Sequence, residues 1–197
     1  MRTPIALLIA LAPLPSAATI GTSPAPYSLR KQRAPKSGSV LVLGVGEMRT
    51  KLRRAADEDA QAIAEVYFES FRLLTFLPML HTAEGYRRFI ANVILKECAV
   101  TVVEDDTGIV SFLALQGEEV RLLYTRPDRI GLGAGTQLIE ATKSTGVVAL
   151  ELWCFQANAR ARRFYEARGF HTIRFTDGAE NEERTPDVRY RWERPSN

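Results

Sequence analysis

The sequence predicts an α/β fold: a single domain built on a mixed sheet with helices on both faces. Three observations lead there. From about residue 48 the chain alternates short apolar runs of strand length with stretches whose apolar residues recur at helical spacing. One run, Val120 to Thr125, enters a turn holding Gly131, Gly133 and Gly135 and leaves it as an amphipathic helix pattern. A length of 197 residues with 46% hydrophobic side chains suffices for one domain of ordinary size with a buried core.

Residues 1–47 stand apart. They hold six of the ten prolines, and five basic residues against Glu47 alone, a balance of +4. The whole chain carries +3, so residues 48–197 sum to −1 and the basic character belongs to this leader. A nucleic-acid-binding face is therefore not expected on the domain. Arg2, a short apolar run and small residues at Ser16 and Ala18 outline a secretory signal peptide, too short to span a membrane. The lack of any acid before Glu47 equally fits an organelle transit peptide. The reading placed first is translation from Met48, because Gly44 to Glu47 can be encoded by purine-rich codons just upstream of an ATG. Residues 1–47 are then disordered or not part of the native protein, and the expected location is cytoplasmic. A genuine targeting segment would make it secreted or organellar.

Leu52-Arg53 reads as a short first strand. Asp57 is placed to cap a helix through Ile63, Val66, Tyr67 and Phe71, with Glu58 and Asp59 complementing the dipole in its first turn. Phe76 to Leu80 interrupts, and Thr82 can cap a second helix through Phe89, Val93 and Ile94. Ala99 to Val103 and Ile109 to Leu115 read as strands joined by a hairpin at Asp105 to Gly108. Val120 to Thr125, the glycine turn and its helix, a strand from Val148 to Phe155 and a helix after Asn158 follow. Strands at Phe170 to Phe175 and around Val188 to Trp192 end the domain. Cys98 and Cys154 have neither disulfide nor metal spacing, so buried free thiols and no metal site are expected.

The glycine turn carries the first chemical signal. A strand that passes through such a turn into a helix presents unpaired N–H groups and the positive end of the helix dipole, an anion site and most simply a phosphate site. It matches neither a dinucleotide fingerprint, since the last glycine would fall on Thr136 or Leu138, nor a Walker A loop. The second signal is QANARARRFYEARGF, residues 156–170. On a helix Asn158, Ala161, Arg162 and Tyr165 fall at i, i+3, i+4 and i+7, so one face carries an amide, a small residue and a phenol.

In these two segments, taken in this order, the chain resembles the GNAT family of acyl-CoA-dependent N-acetyltransferases. The first is similar to the family's pyrophosphate-binding motif and the second to its NxxAxxxYxxxGF segment. LPMLHT at residues 77–82 and the C-terminal tail resemble a subgroup of small bacterial members with unassigned substrates. The resemblance implies an N-acetyltransferase domain over residues 48–197, moving acetyl from acetyl-CoA to a primary amine by direct attack. The main chain of Gly131, Leu132, Gly133, Ala134, Gly135 and Thr136 would hold the pyrophosphate of coenzyme A. The main chain of Leu123, Tyr124 and Thr125 would line the pantetheine arm, with the Asn158 side chain bonded to it. Tyr165 would protonate the departing thiolate, and Phe164, one position round the helix, would face the core.

This chain departs from the family at two positions. Ile130 stands where the family often has Gln or Arg, with Arg129 one place earlier. Trp153 stands where ribosomal-protein acetyltransferases of the family carry a Glu that serves as base, which argues against that substrate class. No general base declares itself; Glu118, Glu119, Glu151, His81 and Glu84 each read as well as solvated surface groups. Asp177, Glu180, Glu182, Glu183 and Asp187 form either an acidic rim attracting a cationic amine or a solvated loop. The expected partner is a small-molecule or peptide amine, with no nucleic acid, no membrane and a homodimer left open. A non-catalytic acyl-CoA-binding or regulatory module is the alternative, and a nucleotide-binding protein using the same loop a weaker one.

Overall fold

The structure is a computed structural model and describes residues 50–195. The expectations for residues 1–47 and for a start at Met48 lie outside those residues. Among the described residues no helix is long and apolar enough to cross a membrane.

Among the described residues seven strands form one sheet in the order β1-β2-β3-β4-β5-β7-β6. β1 (Lys51–Arg54), β2 (Ala99–Asp105), β3 (Gly108–Gln116) and β4 (Glu119–Thr125) make an antiparallel run. The β2–β3 turn is closed by Asp105, whose Oδ1 accepts from the Thr107 N–H at 2.7 Å. β5 (Ala149–Phe155) lies parallel to β4, and α4 (Ala134–Ser144) supplies the crossover that a parallel pair requires. β7 (Asp187–Glu193) and β6 (His171–Phe175) extend the sheet with antiparallel pairs.

All residues from Ile109 to Ala114 in β3 are buried, so the centre of the sheet is covered on both sides. Phe112 stacks on Tyr124 of β4, and Tyr124 meets Tyr67 of α1 (Ala60–Phe71) with ring centroids 4.6 Å apart. One residue on, Thr125 points to the opposite face, where its Oγ1 lies 3.8 Å from the position of a Cβ on Gly135 of α4. The expected cover of both faces is therefore present. α1 buries Ile63, Val66, Tyr67, Ser70 and Phe71, one stripe at helical spacing. Cys98 and Cys154 are free and buried.

One of the two expected helix starts differs in detail. Asp57 sits in a 3-10 turn and pairs with Lys96 at 2.8 Å, whereas Asp59 reaches back to the Ala56 N–H at 2.8 Å. The bidentate grip of Arg53 on Asp59, at 2.6 and 2.9 Å, selects the later carboxylate. Thr82 caps α2 (Ala83–Phe89) as expected, its Oγ1 accepting from the Gly85 N–H at 3.1 Å. The helical run then widens into a π turn at Ile90–Ile94 before the short α3 (Leu95–Glu97), and Ile90 and Ile94 are both fully buried in it.

Candidate active site

β4 and β5 share one register pair, Glu119 with Glu151, backed by the Glu151 N–H donating to the Glu118 carbonyl at 2.8 Å. Beyond it the strands part, because β5 is held along its length by β7 and β4 by β3. Residues 123–125 and 152–155 thus face each other across a gap. Ser70 Oγ donates to the Thr125 carbonyl and Ser111 Oγ to the Tyr124 carbonyl, each at 2.7 Å. Successive carbonyls point to opposite strand edges, so Leu123 shares the edge of Thr125, and Ser70 has already taken the Thr125 carbonyl.

At the open end of this gap lies the glycine turn. Gly131 and Gly133 adopt φ of 86° and 95°, the left-handed region where a side chain is strained. Gly133 is the N-cap of α4, whose first bond runs from the Gln137 N–H to the Gly133 carbonyl at 3.0 Å. The N–H groups of Ala134, Gly135 and Thr136 precede that ladder. A cavity of about 120 Å³ opens on them. Thr125, Gly131, Gly133, Ala134, Gly135 and Thr136 line it, together with Arg129, Phe164 and Arg168. The volume suits a phosphate-sized group; sites for whole drug-sized ligands run to roughly 300–1,000 Å³. The Leu132 side chain points outward and is exposed.

Arg168 was not anticipated from the sequence. Its Nη1 donates to the Phe164 carbonyl at 2.7 Å, its Nη2 to Thr136 Oγ1, and its guanidinium lies 3.5 Å above the Phe164 ring. Those partners are neutral, and Arg168 Nε is buried without any. Burial accordingly pushes the Arg168 pKa down. Arg129 differs, since Asp105 and Asp128 hold its Nε and Nη1 at 2.8 and 2.7 Å. Arg160 comes from α5 (Ala159–Glu166), its Nη2 3.8 Å from where a Cβ on Gly131 would sit. Glycines without Cβ atoms, leading helix N–H groups and a desolvated guanidinium without an anion fit the diphosphate of coenzyme A. Phe164 meets the expectation of a core-facing residue in part: half-buried, it packs against the core and also walls the cavity, 3.4 Å from a Cβ placed on Gly135. Glycine at 135 is what leaves room for the ring.

Asn158 caps α5, its Oδ1 accepting from the Ala161 N–H at 3.0 Å. Tyr165 is fully buried among Phe164, Phe170 and Tyr190, with ring centroids 5.4, 5.5 and 6.2 Å away. Its Oη has no hydrogen-bond partner among the described residues. Burial pushes the phenol well above its ordinary value, Cys154 on β5 adds to this, and Arg168 pulls back. Tyr165 therefore keeps its proton, and the influence of Cys154 sets the phenol near β5.

An acetyltransferase (GNAT) domain model matches residues 96–172, the span that holds β4, the glycine turn, β5 and α5. Over those residues the chain matches a GNAT acetyltransferase domain. Solved structures agree on the fold. Apo YjaB from Escherichia coli superposes with a TM-score of 0.61 at 20% identity, over 74% of this chain and 98% of that one. The PaiA N-acetyltransferase of Thermoplasma acidophilum, solved with coenzyme A, gives 0.59 at 20% identity, over 75% and 100%. The ribosomal-protein-S18-alanine N-acetyltransferase of Escherichia coli gives 0.57 at 16% identity, over 76% and 96%. No curated protein matches the chain.

Among the described residues the five candidate bases are dispersed. Glu151 is paired with Arg189 and Arg191, and Glu84 with Arg87 and Arg88 at 3.2 Å each. Glu118 and Glu119 lie at the closed end of the gap. His81 Nε2 meets Glu182 at 2.8 Å, tying the α1–α2 loop to the β6–β7 loop. The acidic tail is not a uniformly solvated rim, for Glu183 and Asp187 are 8% and 4% exposed. Its polar composition concealed this; Gly178 and Asn181 were the local hints of a tight turn.

Proposed function

We propose that the protein transfers an acetyl group from acetyl-CoA to a primary amine, by direct attack of the amine on the thioester. The observation that carries this reading is the glycine-lined cavity with its uncompensated Arg168 at the mouth of the β4–β5 gap. The leading N–H groups of α4 and the Arg168 guanidinium bind the diphosphate. The Leu123 edge of β4 runs along the pantetheine arm, with Asn158 at the other wall. The solved complex of the Thermoplasma acidophilum relative with coenzyme A supports the choice of carrier.

The chemistry needs a neutral amine and a proton for the departing thiolate. Tyr165 supplies the proton: its phenol is kept neutral by burial, and its Oη has bonding capacity to spend on the sulfur. Trp153, buried in β5 where a ribosomal-protein acetyltransferase of the family carries its Glu, directs the acceptor away from that class. A thiol-release screen of amines, polyamines, amino acids, aminoglycosides and peptides with acetyl-CoA tests the reading. Sustained release with at least one amine is expected. Stoichiometric coenzyme A binding without turnover would replace the enzyme by a non-catalytic acyl-CoA-binding module.

A further inference from the structure

The β6–β7 loop, residues 176–186, is a braced frame. Asn181 Nδ2 donates to the Thr185 carbonyl at 2.7 Å and to Asp187 Oδ2 at 3.0 Å, and its Oδ1 accepts from the Thr185 N–H at 3.1 Å. Gly178, at φ 82°, passes so near Thr185 that a Cβ would sit 2.3 Å from its backbone. Arg184 adopts φ 49°, which for a residue with a side chain costs on the order of 1–3 kcal/mol and persists only where its surroundings dictate it. The frame turns Glu183 inward, leaving Oε2 buried and without a hydrogen-bond partner. A buried carboxylate oxygen in that state calls for a donor or a cation.

The surroundings indicate which. Tyr86 lies 5.7 Å from His81 and 4.9 Å from Tyr67, and Tyr67 lies 4.6 Å from Tyr124, ring to ring. The Glu183 charge acts on all three phenols. Tyr124 belongs to the gap end of β4, so the cluster reaches the strand along which the carrier lies. Phe76, Met79 and Leu80 of the α1–α2 loop are exposed, and Phe76 packs edge-on to Phe155, the last residue of β5, at 6.2 Å. Aromatic faces favour a cation, and the exposed side chains favour an apolar body behind it.

We propose that Glu183 is the acceptor site of the transferase: its carboxylate receives the ammonium of a primary amine on an apolar body and takes one proton from it, beside the buried cluster of Tyr67, Tyr86 and Tyr124. The inference rests on the acetyl-transfer reading. The Glu183 carboxylate becomes a carboxylic acid and the ammonium a neutral amine. The amine nitrogen forms a bond to the thioester carbonyl carbon, the C–S bond breaks, and the sulfur leaves as thiolate. Tyr165 protonates the thiolate; the second proton lost from nitrogen restores the phenol, and Glu183 releases its own to water, one net proton per turnover. Other charged or titratable groups facing Glu183 are Glu182, His81 and Asp187. Burial pushes its carboxyl up, Glu182 and Asp187 add to this and His81 opposes it, which makes it a stronger base than an exposed carboxylate.

The test uses acetyl-CoA with 2-phenylethylamine or methylamine, on wild type, Glu183→Gln, Glu183→Asp and Glu182→Gln, from mildly acidic to mildly alkaline pH. Wild type should prefer 2-phenylethylamine. Glu183→Gln should lower kcat/KM for it by about 10²-fold and remove the acidic limb of the pH profile, with coenzyme A affinity unchanged in calorimetry. Glu183→Asp should recover part of both, which also serves if the glutamine variant fails to fold, and Glu182→Gln should stay close to wild type. A Glu183→Gln enzyme with wild-type rate and acidic limb would overturn the proposal. So would a wild type that binds coenzyme A yet releases no thiol with 2-phenylethylamine. A wild type that binds no coenzyme A would remove the acetyl-transfer reading itself, and this inference with it.

Discussion

Tyr165→Phe should separate stability from turnover in opposite directions. The ring packs between Phe164, Phe170 and Tyr190, and all of it remains in the variant. What disappears is a hydroxyl that is buried without a partner in the ligand-free protein. A buried unsatisfied polar group costs about 1–3 kcal/mol, so the variant should gain up to that much stability. In a domain of this size each kcal/mol is worth roughly 2–4 °C in Tm. Turnover should fall by about 10²-fold, the lower end of general acid catalysis, with coenzyme A affinity little changed. The assays are thermal unfolding without ligand and thiol release where chemistry limits the rate. A variant less stable than wild type would show that the hydroxyl is paired after all, and wild-type turnover would remove the acid role.

Arg168→Gln should weaken coenzyme A binding by roughly 10- to 100-fold in calorimetry, as expected for loss of a hydrogen bond of about 1.5–3 kcal/mol to a charged partner. Gly178→Ala drives a Cβ into the Thr185 backbone and should cost about 1–3 kcal/mol in denaturant unfolding, lowering amine turnover more than carrier affinity. For Glu183 the folded pKa is raised, so its stabilising contribution is complete below the unfolded value of about 4.3 and is lost as pH rises through the folded value. Glu183→Gln should therefore melt above wild type at neutral pH, and the difference should close on acidification.

What the sequence disclosed was what local chemistry decides. Gly131 and Gly133 at alternate positions after a strand had to be a turn with positive φ, and Thr82 before an apolar helical stripe had to be a cap. The limits of β3 followed from an apolar run, broken only by Ser111, that is buried on both faces. What stayed hidden depends on segments distant in sequence. Arg168 joins the phosphate cavity because it reaches Thr136, 32 residues away. Phe164 reads only as a core residue until Gly135 is placed beneath it. Glu183 sits in a stretch whose composition describes a solvated loop, and its burial follows from Asn181 bridging Thr185 and Asp187. The choice of Asp59 over Asp57 is a local matter by contrast, made by Arg53 of β1 six residues earlier.

The most direct test of the account is calorimetric titration of coenzyme A into wild type and Gly133→Val. A Cβ at Gly133 meets no atom within 4 Å beyond its chain neighbours, so the branch starts in open space at the N-cap of α4. Wild type should bind one equivalent. The valine variant, folded by circular dichroism and somewhat less stable through its positive φ, should bind at least about 10²-fold more weakly, near 2.8 kcal/mol. Equal affinity in the two proteins, with the fold intact, would contradict the claim that this backbone cradle holds the carrier.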